Sequence, residues 1–70
     1  MIIVQDDNFY ILCDSIEEYG SKEEPWVSLE FPVYLNSLPE DKKDIEMIWK
    51  HAKRGTGYCT TKKSIKIINK

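Results

Sequence analysis

The stretch SLPEDKKDIEMIWKHAKRG, residues 37–55, decides the fold class of this 70-residue chain. Ser37 and Glu40 have the spacing of a capping box, in which two side chains satisfy free backbone N–H groups at a helix start. Four apolar side chains then recur at the spacing of one helix face: Ile45, Ile48, Trp49 and Ala52. The stretch therefore predicts an amphipathic helix from about Leu38 to Arg54, ended by Gly55.

Two apolar runs near the N-terminus predict a β-hairpin. IIVQ (residues 2–5) and FYILCD (residues 9–14) are rich in β-branched and aromatic residues, and the Asp6-Asp7-Asn8 segment between them suits a tight turn. Both faces of the second run are apolar, so we expect this strand to be covered on both sides or to belong to a curled sheet.

The middle of the chain predicts a short helix followed by a third strand. Ser15 and Glu18 repeat the capping-box spacing, and Gly20 follows as a stop, which predicts about one helical turn. In WVSLEF (residues 26–31) apolar and polar side chains alternate, as in a half-buried strand. The apolar face of this strand consists of Val27, Leu29 and Phe31. Pro32 then places the strand at an edge or interrupts it with a bulge.

Residues 58–69 predict either one long strand or a hairpin that turns across Lys62-Lys63, and the sequence leaves this choice open. In a single strand, Lys63 would share the apolar face of Cys59 and Ile65, which favours a bend at the lysine pair. The elements together predict one domain, residues 1–70, of the α+β class. Its small, mostly antiparallel sheet contains the N-terminal hairpin, the middle strand and the C-terminal strand or hairpin, and the amphipathic helix packs on one face.

Membrane and secretory segments are not expected. The N-terminus lacks a basic region, and no apolar run approaches the ~20 residues of a membrane span. We therefore expect a complete, cytoplasmic protein. Cys13 and Cys59 are expected to be free, mostly buried thiols, with a disulfide as the less favoured alternative. Together with His51 they cannot complete a four-ligand zinc site without a carboxylate, so neither a metal nor a cofactor is expected.

Charge is distributed unevenly along the chain. The net charge is −2, but residues 1–40 carry nine acidic residues against one lysine, and residues 41–70 carry nine basic residues against three acidic ones. Such asymmetry indicates either a charged partner or two halves that neutralise each other in the fold. The sequence does not choose between the two.

No stretch of the sequence predicts catalysis. Gly55-Thr56-Gly57 follows the predicted helix, whereas a phosphate-binding loop precedes a helix, where the dipole is positive. His51 and Cys59 have the chemistry of a base and a nucleophile, but nothing in the sequence brings them together. We therefore expect a protein that is not an enzyme.

A basic set in the C-terminal half predicts nucleic-acid binding as the alternative function. It comprises Lys50, Lys53, Arg54, Tyr58, Lys62, Lys63 and Lys66. Its cations would neutralise phosphates, and an exposed Tyr58 would stack on a base. The pI of about 5.3 argues against a dedicated nucleic-acid-binding domain and favours an accessory role.

An acidic set supports the leading hypothesis, which is that this non-enzymatic protein binds and modulates another protein. It comprises Asp14, Glu17, Glu18, Glu23, Glu24 and Trp26. Its carboxylates would face a basic partner surface and Trp26 would anchor the contact, although a Trp26 that caps the core is the favoured structural interpretation. The preference for lysine and isoleucine over arginine and alanine favours A/T-rich codons, which suits a phage or mobile-element modulator of a host complex. Homodimerisation is left open.

Overall fold

Seven strands, one α-helix and one 3₁₀ turn are formed by residues 1–68, which are the residues described by the structure, a computed structural model. The strands are β1 (Ile2–Asp6), β2 (Phe9–Cys13), β3 (Ser15–Gly20), β4 (Pro25–Glu30), β5 (Val33–Leu35), β6 (Tyr58–Thr61) and β7 (Ile65–Ile68). The helix α1 spans Lys42–His51, and the 3₁₀ turn spans Lys62–Ser64. The predicted α+β class is confirmed.

The strands form two antiparallel sheets where the sequence predicted one. The larger sheet has the order β5-β2-β1-β7, and the smaller sheet has the order β3-β4-β6. The predicted N-terminal hairpin is confirmed as the β1–β2 pair at the centre of the larger sheet. β2–β3 and β4–β5 run side by side as one long hairpin, and a corner divides it between the two sheets. At this corner the Asp14 N–H donates to the Glu30 carbonyl oxygen at 2.9 Å.

Backbone geometry at Phe31 explains the corner between β4 and β5. Phe31 has a left-handed φ of 53°, and Pro32 after it cannot donate a ladder hydrogen bond. The predicted interruption at Pro32 is therefore confirmed. The expectation that Phe31 shares a face with Val27 and Leu29 is wrong, because Phe31 is half exposed while the other two side chains are buried.

Residues 15–20 form strand β3, so the helical turn predicted here is wrong. Ile16 lies opposite Leu29 in the β3–β4 pair and packs against the same buried cluster. A lone helical turn would be costly to nucleate, whereas pairing with β4 satisfies the facing backbone groups at every register position. Ser15 and Glu18 consequently lie in a strand and form no capping box.

The larger sheet is the middle layer of the fold, with α1 on one face and the smaller sheet against the other. On the helix side the buried residues are Ile3, Leu12, Val33 and Ile45, and on the opposite side they are Val4, Ile11, Cys13 and Leu29. β2 contributes to both clusters, and its last three residues, 11–13, are 0% exposed. The prediction of a strand covered on both faces is thus confirmed.

The helix begins later than predicted. Asp41 is the N-cap, and its carboxylate accepts a hydrogen bond from the Lys43 N–H at 2.9 Å. The predicted capping box of Ser37 and Glu40 is wrong, because Asp41 supplies the same kind of acceptor closer to the first buried side chain, Ile45.

The helix also ends earlier than predicted. Ala52 is extended, with a ψ of 144°, so α1 ends at His51 and Gly55 is not its terminating residue. The apolar stripe itself is confirmed, since Ile48, Trp49 and Ala52 all pack against the cluster that contains Ile45.

The C-terminal strands belong to different sheets, because β6 pairs with β4 and β7 pairs with β1. Residues 58–68 are therefore neither one strand nor a hairpin, and Asn69 lies outside the described residues. The bend predicted at Lys62-Lys63 is confirmed as the 3₁₀ turn. Both cysteines are free, but only Cys13 is buried, so the expectation of burial is wrong for Cys59.

Candidate functional site

The predicted acidic set lies on one hairpin. Asp14 precedes β3, Glu17 and Glu18 lie within it, Glu23 and Glu24 lie in the connecting loop, and Trp26 lies in β4. We call residues Asp14–Glu30 the acidic hairpin. It carries six carboxylates and one lysine, Lys22, which gives it a net charge of −5. Burial differs sharply along this segment, because every carboxylate is exposed while Val27 and Leu29 are buried.

Register places a defined group of side chains on the solvent side of the smaller sheet. Tyr19 lies opposite Trp26, and Glu17 lies opposite Ser28. On the other edge of β4, Ser28 lies opposite Cys59. Directly paired residues share a face, and this face is opposite the one that is buried against the larger sheet. We call it the outer face, and it carries Glu17, Tyr19, Trp26, Ser28, Cys59 and Thr61.

Two aromatic rings stack on this outer face, near the loop end of the acidic hairpin. The ring centroids of Tyr19 and Trp26 are 4.7 Å apart, and the ring planes are 24° from parallel. Tyr19 is 44% exposed and Trp26 is 40% exposed. Trp26 lies in a strand, as interpreted from the sequence, but its ring lies in this outer pair and does not cap the core.

The Tyr19 hydroxyl donates a hydrogen bond to the Glu17 carboxylate. This bond is the main cause that raises the pKa of Tyr19, because it favours the protonated phenol. The hydroxyl therefore stays a donor, and the bond adds a second restraint on the ring beside its stack on Trp26.

Gly20 allows the Trp26 ring to lie across the hairpin backbone. Its φ is +89°, and an added Cβ would lie 2.6 Å from the Glu24 carbonyl oxygen and 2.7 Å from Cδ1 of Trp26. In the loop that follows, the Glu24 N–H donates to Oγ of Ser21 at 3.1 Å. The position of the indole thus depends on a residue without a side chain and on a closed loop.

A shallow depression of about 320 Å³ lies beside the aromatic pair. It is lined by Glu23, Glu24, Pro25, Trp26, Thr61 and Lys63. One wall is therefore acidic and one edge is the indole of Trp26, so the depression combines charge with apolar surface. Lys63 of the predicted basic set lies in this acidic environment.

Two further members of the basic set form ion pairs with the acidic hairpin. Nη1 of Arg54 is 3.6 Å from the Asp14 carboxylate, and the Arg54 guanidinium lies 4.0 Å from the centroid of the Trp49 ring. Nζ of Lys62 is 2.8 Å from the Glu18 carboxylate. The two halves of the chain neutralise each other at these contacts, as the second explanation of the charge asymmetry requires.

Tyr58 is half-buried and does not form an exposed surface with the lysines of the basic set. Its hydroxyl donates to the carboxylate of Asp6, which is 2% exposed, and its ring packs edge-on against Tyr34 with centroids 5.7 Å apart. The hydrogen bond to Asp6 raises the pKa of Tyr58. The remaining members are Lys50 in α1, Lys53 beyond it and Lys66 in β7. The basic set is thus distributed over several elements.

Sequence reasoning missed Tyr19, Gly20 and Asp6. The first two were assigned to a helical turn, and only the strand register brings Tyr19 beside Trp26. A hairpin signal was present, because a glycine and a four-residue polar loop separate Tyr19 from Pro25 and Trp26. Asp6 was assigned to a turn, but it is buried and accepts a hydrogen bond from Tyr58, which is 52 positions away in sequence.

The described part of the chain has one buried thiol and no cluster of metal-ligating side chains. Among residues 1–68, no three histidine, cysteine or acidic side chains are placed to hold a metal ion. Burial raises the pKa of Cys13 from 9.0 to about 11, which keeps this thiol protonated. The described residues also contain no helix of the length and apolarity needed to cross a membrane.

No family model matches the chain, and neither a curated protein nor a solved structure shows significant similarity to it.

Proposed function

We propose that this protein acts without catalysis, by binding another protein through the outer face and loop of the acidic hairpin. The observation that carries the proposal is the Tyr19–Trp26 stack, which stays about half exposed on a hairpin of net charge −5. The partner surface is positively charged, because it must meet the carboxylates of Glu17, Glu23 and Glu24 beside the aromatic pair.

Aromatic rings left exposed add little to the core of a domain of this size, which needs its large side chains for stability. A domain near 70 residues draws only about 3–5 kcal/mol from its core, so its large side chains are normally buried. Trp26 and Tyr19 instead form a rigid platform, held by the Glu17 hydrogen bond and by the close approach to Gly20. Tryptophan and tyrosine at such positions are the residue types that dominate binding energy at protein interfaces.

The carboxylates supply orientation and speed more than raw affinity. Exposed charges attract a basic partner over about one Debye length, ~8–10 Å at physiological salt, and raise the association rate. Arg54 and Lys62 each neutralise one carboxylate, Asp14 and Glu18. Glu23 and Glu24 lie at the far end of the hairpin, beside Trp26, and form the charged end of the surface.

A small acidic binder of this kind suits a cytoplasmic modulator encoded by a phage or mobile element, acting on a host complex. Basic surfaces of host proteins commonly hold nucleic acid, and a carboxylate-rich hairpin offers the same sign of charge. The proposal therefore extends to a host protein whose basic surface is occupied when this chain binds.

Affinity capture from native cells tests the proposal. Tagged wild-type protein is compared with Trp26→Ser, with Glu24→Lys, and with Glu46→Lys, which makes the same charge change on the exposed face of α1. We expect a basic protein to be retained by wild type and Glu46→Lys, lost from Trp26→Ser, and recovered in lower yield with Glu24→Lys. The proposal fails if all four proteins retain the same species, provided that circular dichroism shows each variant folded.

Nucleic-acid binding by the basic set remains the alternative proposal. Lys50, Lys53, Lys63 and Lys66 would make the phosphate contacts, joined by Arg54 and Lys62 once these leave their carboxylates. A titration with DNA and RNA at low and high salt tests it: binding that falls steeply with salt and disappears on Lys62→Glu with Lys63→Glu would support it. Absence of binding at low salt would exclude it.

A further inference from the structure

Strand β3 is a free edge of the smaller sheet. Within residues 1–68 it pairs with β4 and with no other strand, and its residues 17–20 are all exposed. Every second backbone N–H and C=O group of such a strand points away from its partner and is available for pairing. The edge therefore has the donors and acceptors that an added strand requires.

Charges on this edge discriminate between the strands that could be added. Glu17 lies on the outer face of the sheet and Glu18 on the opposite face, so both faces present a carboxylate along the edge. A second copy of β3 would bring glutamates against glutamates, which is unfavourable at cross-strand distances of about 4.5–5.5 Å. A strand with arginine or lysine at the matching positions would instead be stabilised on both faces.

We propose that an extended basic segment of a partner protein adds to the β3 edge as a fourth strand of the smaller sheet. Its cationic side chains on the outer face lie over Glu17 and reach toward the Tyr19–Trp26 pair. This inference rests on the proposed function of the acidic hairpin and specifies the chemistry and the conformation of the bound segment.

Geometry across the sheet supports the aromatic contact. Strands lie about 4.8 Å apart, so a side chain on the added strand beside Tyr19 is two strands from Trp26, within the reach of an extended arginine. A guanidinium placed over an indole gains cation–π attraction. The chain already contains one such contact, because the Arg54 guanidinium lies 4.0 Å from the Trp49 ring centroid.

The opposite face of the β3 edge, which carries Glu18, offers a second contact, for which the added strand would compete with Lys62. Glu18 is paired with Lys62 at 2.8 Å, but both side chains are more than half exposed, at 59% and 53%. Exposed pairs of this kind contribute about 0–1 kcal/mol, so a cation from the added strand can replace Lys62 at little cost. The Glu18–Lys62 pair therefore does not block the edge.

An NMR titration with synthetic peptides tests the inference. The probe is the capped peptide Thr-Arg-Thr-Arg-Arg-Val-Arg-Thr-Thr, whose arginines lie on both faces of an extended strand. Its matched control carries N-methyl groups on every internal backbone amide, which preserves its charge and removes its strand N–H donors on both edges. We expect the probe to protect backbone amides of β3 from exchange. The N-methylated peptide should bind at least about tenfold more weakly, because two or more hydrogen bonds are lost.

Variants connect the binding to the edge. Glu17→Gln and Trp26→Ala should each weaken the probe severalfold, while Glu46→Gln on α1 should leave its affinity within about twofold. Equal binding of the two peptides, still dependent on Trp26, would overturn strand addition and leave the proposed function standing. Failure of the probe to bind, or binding that ignores Glu17 and Trp26, would overturn the inference, and the capture experiment would then decide the proposed function separately.

Discussion

Replacing Gly20 with alanine disturbs the acidic hairpin at the point where its backbone supports the aromatic platform. The φ of +89° lies in the region that favours glycine, and the new Cβ would lie 2.6 Å from the Glu24 carbonyl oxygen and 2.7 Å from Cδ1 of Trp26. The backbone oxygen cannot rotate away as a flexible side chain can. The indole must therefore leave its position 4.7 Å from Tyr19, or the loop must open.

The loss of stability in Gly20→Ala combines backbone strain and steric overlap, and local opening of the hairpin tip reduces it. A left-handed alanine costs about 1–2 kcal/mol relative to glycine, and the steric overlap adds a cost of roughly 1–3 kcal/mol if the surroundings stay fixed. The tip of the hairpin is exposed and can open locally, which limits the loss that global unfolding reports. We expect the free energy of unfolding to fall by about 1–2 kcal/mol, and the melting temperature by roughly 4–8 °C per kcal/mol in a domain this small.

Urea and thermal unfolding followed by far-ultraviolet circular dichroism measure the stability, and near-ultraviolet dichroism reports the stacked rings. Gly55→Ala is the matched control, because no atom lies within 4 Å of its added Cβ and its φ is not left-handed. The control should remain within about 0.5 kcal/mol of wild type or gain slightly. A Gly20→Ala variant with wild-type stability and an unchanged near-ultraviolet signal would refute the reasoning.

Three further predictions concern the core residue Leu29, the hydrogen bond between Tyr58 and Asp6, and the two cysteines. Leu29→Ala should lower the free energy of unfolding by about 2–5 kcal/mol and leave most of the chain unfolded at 37 °C, because Leu29 is 0% exposed between the two sheets. Tyr58→Phe should cost about 1.5–3 kcal/mol at neutral pH in urea unfolding, because it removes the hydrogen bond to the Asp6 carboxylate. This bond raises the pKa of Tyr58, so its contribution is complete below pH 10 and is lost as the pH rises through the folded value; the difference between variant and wild type should shrink there. Iodoacetamide at pH 8 should alkylate only the exposed Cys59 in the native protein and both thiols in denaturant, since burial raises the pKa of Cys13 to about 11, and mass spectrometry of the peptides would show any other pattern.

The elements predicted correctly are those whose pattern is strong over a short distance. The stripe from Ile45 to Ala52 has an unambiguous helical period, and the N-terminal hairpin joins two runs of β-branched and aromatic residues by the two-residue turn Asp7-Asn8. In both cases the local preference and the final packing agree.

The misassigned elements are those where a local signal competed with long-range pairing. Ser15 and Glu18 have a capping-box spacing, yet the ladder with β4 and the burial of Ile16 against the larger sheet outweigh one helical turn. The division into two sheets depends on the left-handed backbone of Phe31. A phenylalanine in the sequence does not predict this conformation.

The candidate site was anticipated in composition but not in geometry. Asp14, Glu17, Glu18 and the later carboxylates are visible in the sequence, and so is Trp26. Its stacking partner Tyr19 becomes apparent only when β3 is recognised as a strand in register with β4. Likewise, the ion pairs of Arg54 and Lys62 with the acidic hairpin join residues that are 40 and 44 positions apart.

Photo-crosslinking in native cells is the measurement that tests the proposed binding surface most directly. Benzoylphenylalanine is introduced in place of Lys22, which is exposed in the loop of the acidic hairpin and leaves the Tyr19–Trp26 pair intact, or, as a control, in place of Met47, an apolar side chain on α1 that is 60% exposed. We predict that position 22 yields a discrete adduct with a positively charged protein and that position 47 does not. Adducts of equal yield at both positions, or an adduct at position 47 alone, would contradict binding through the hairpin.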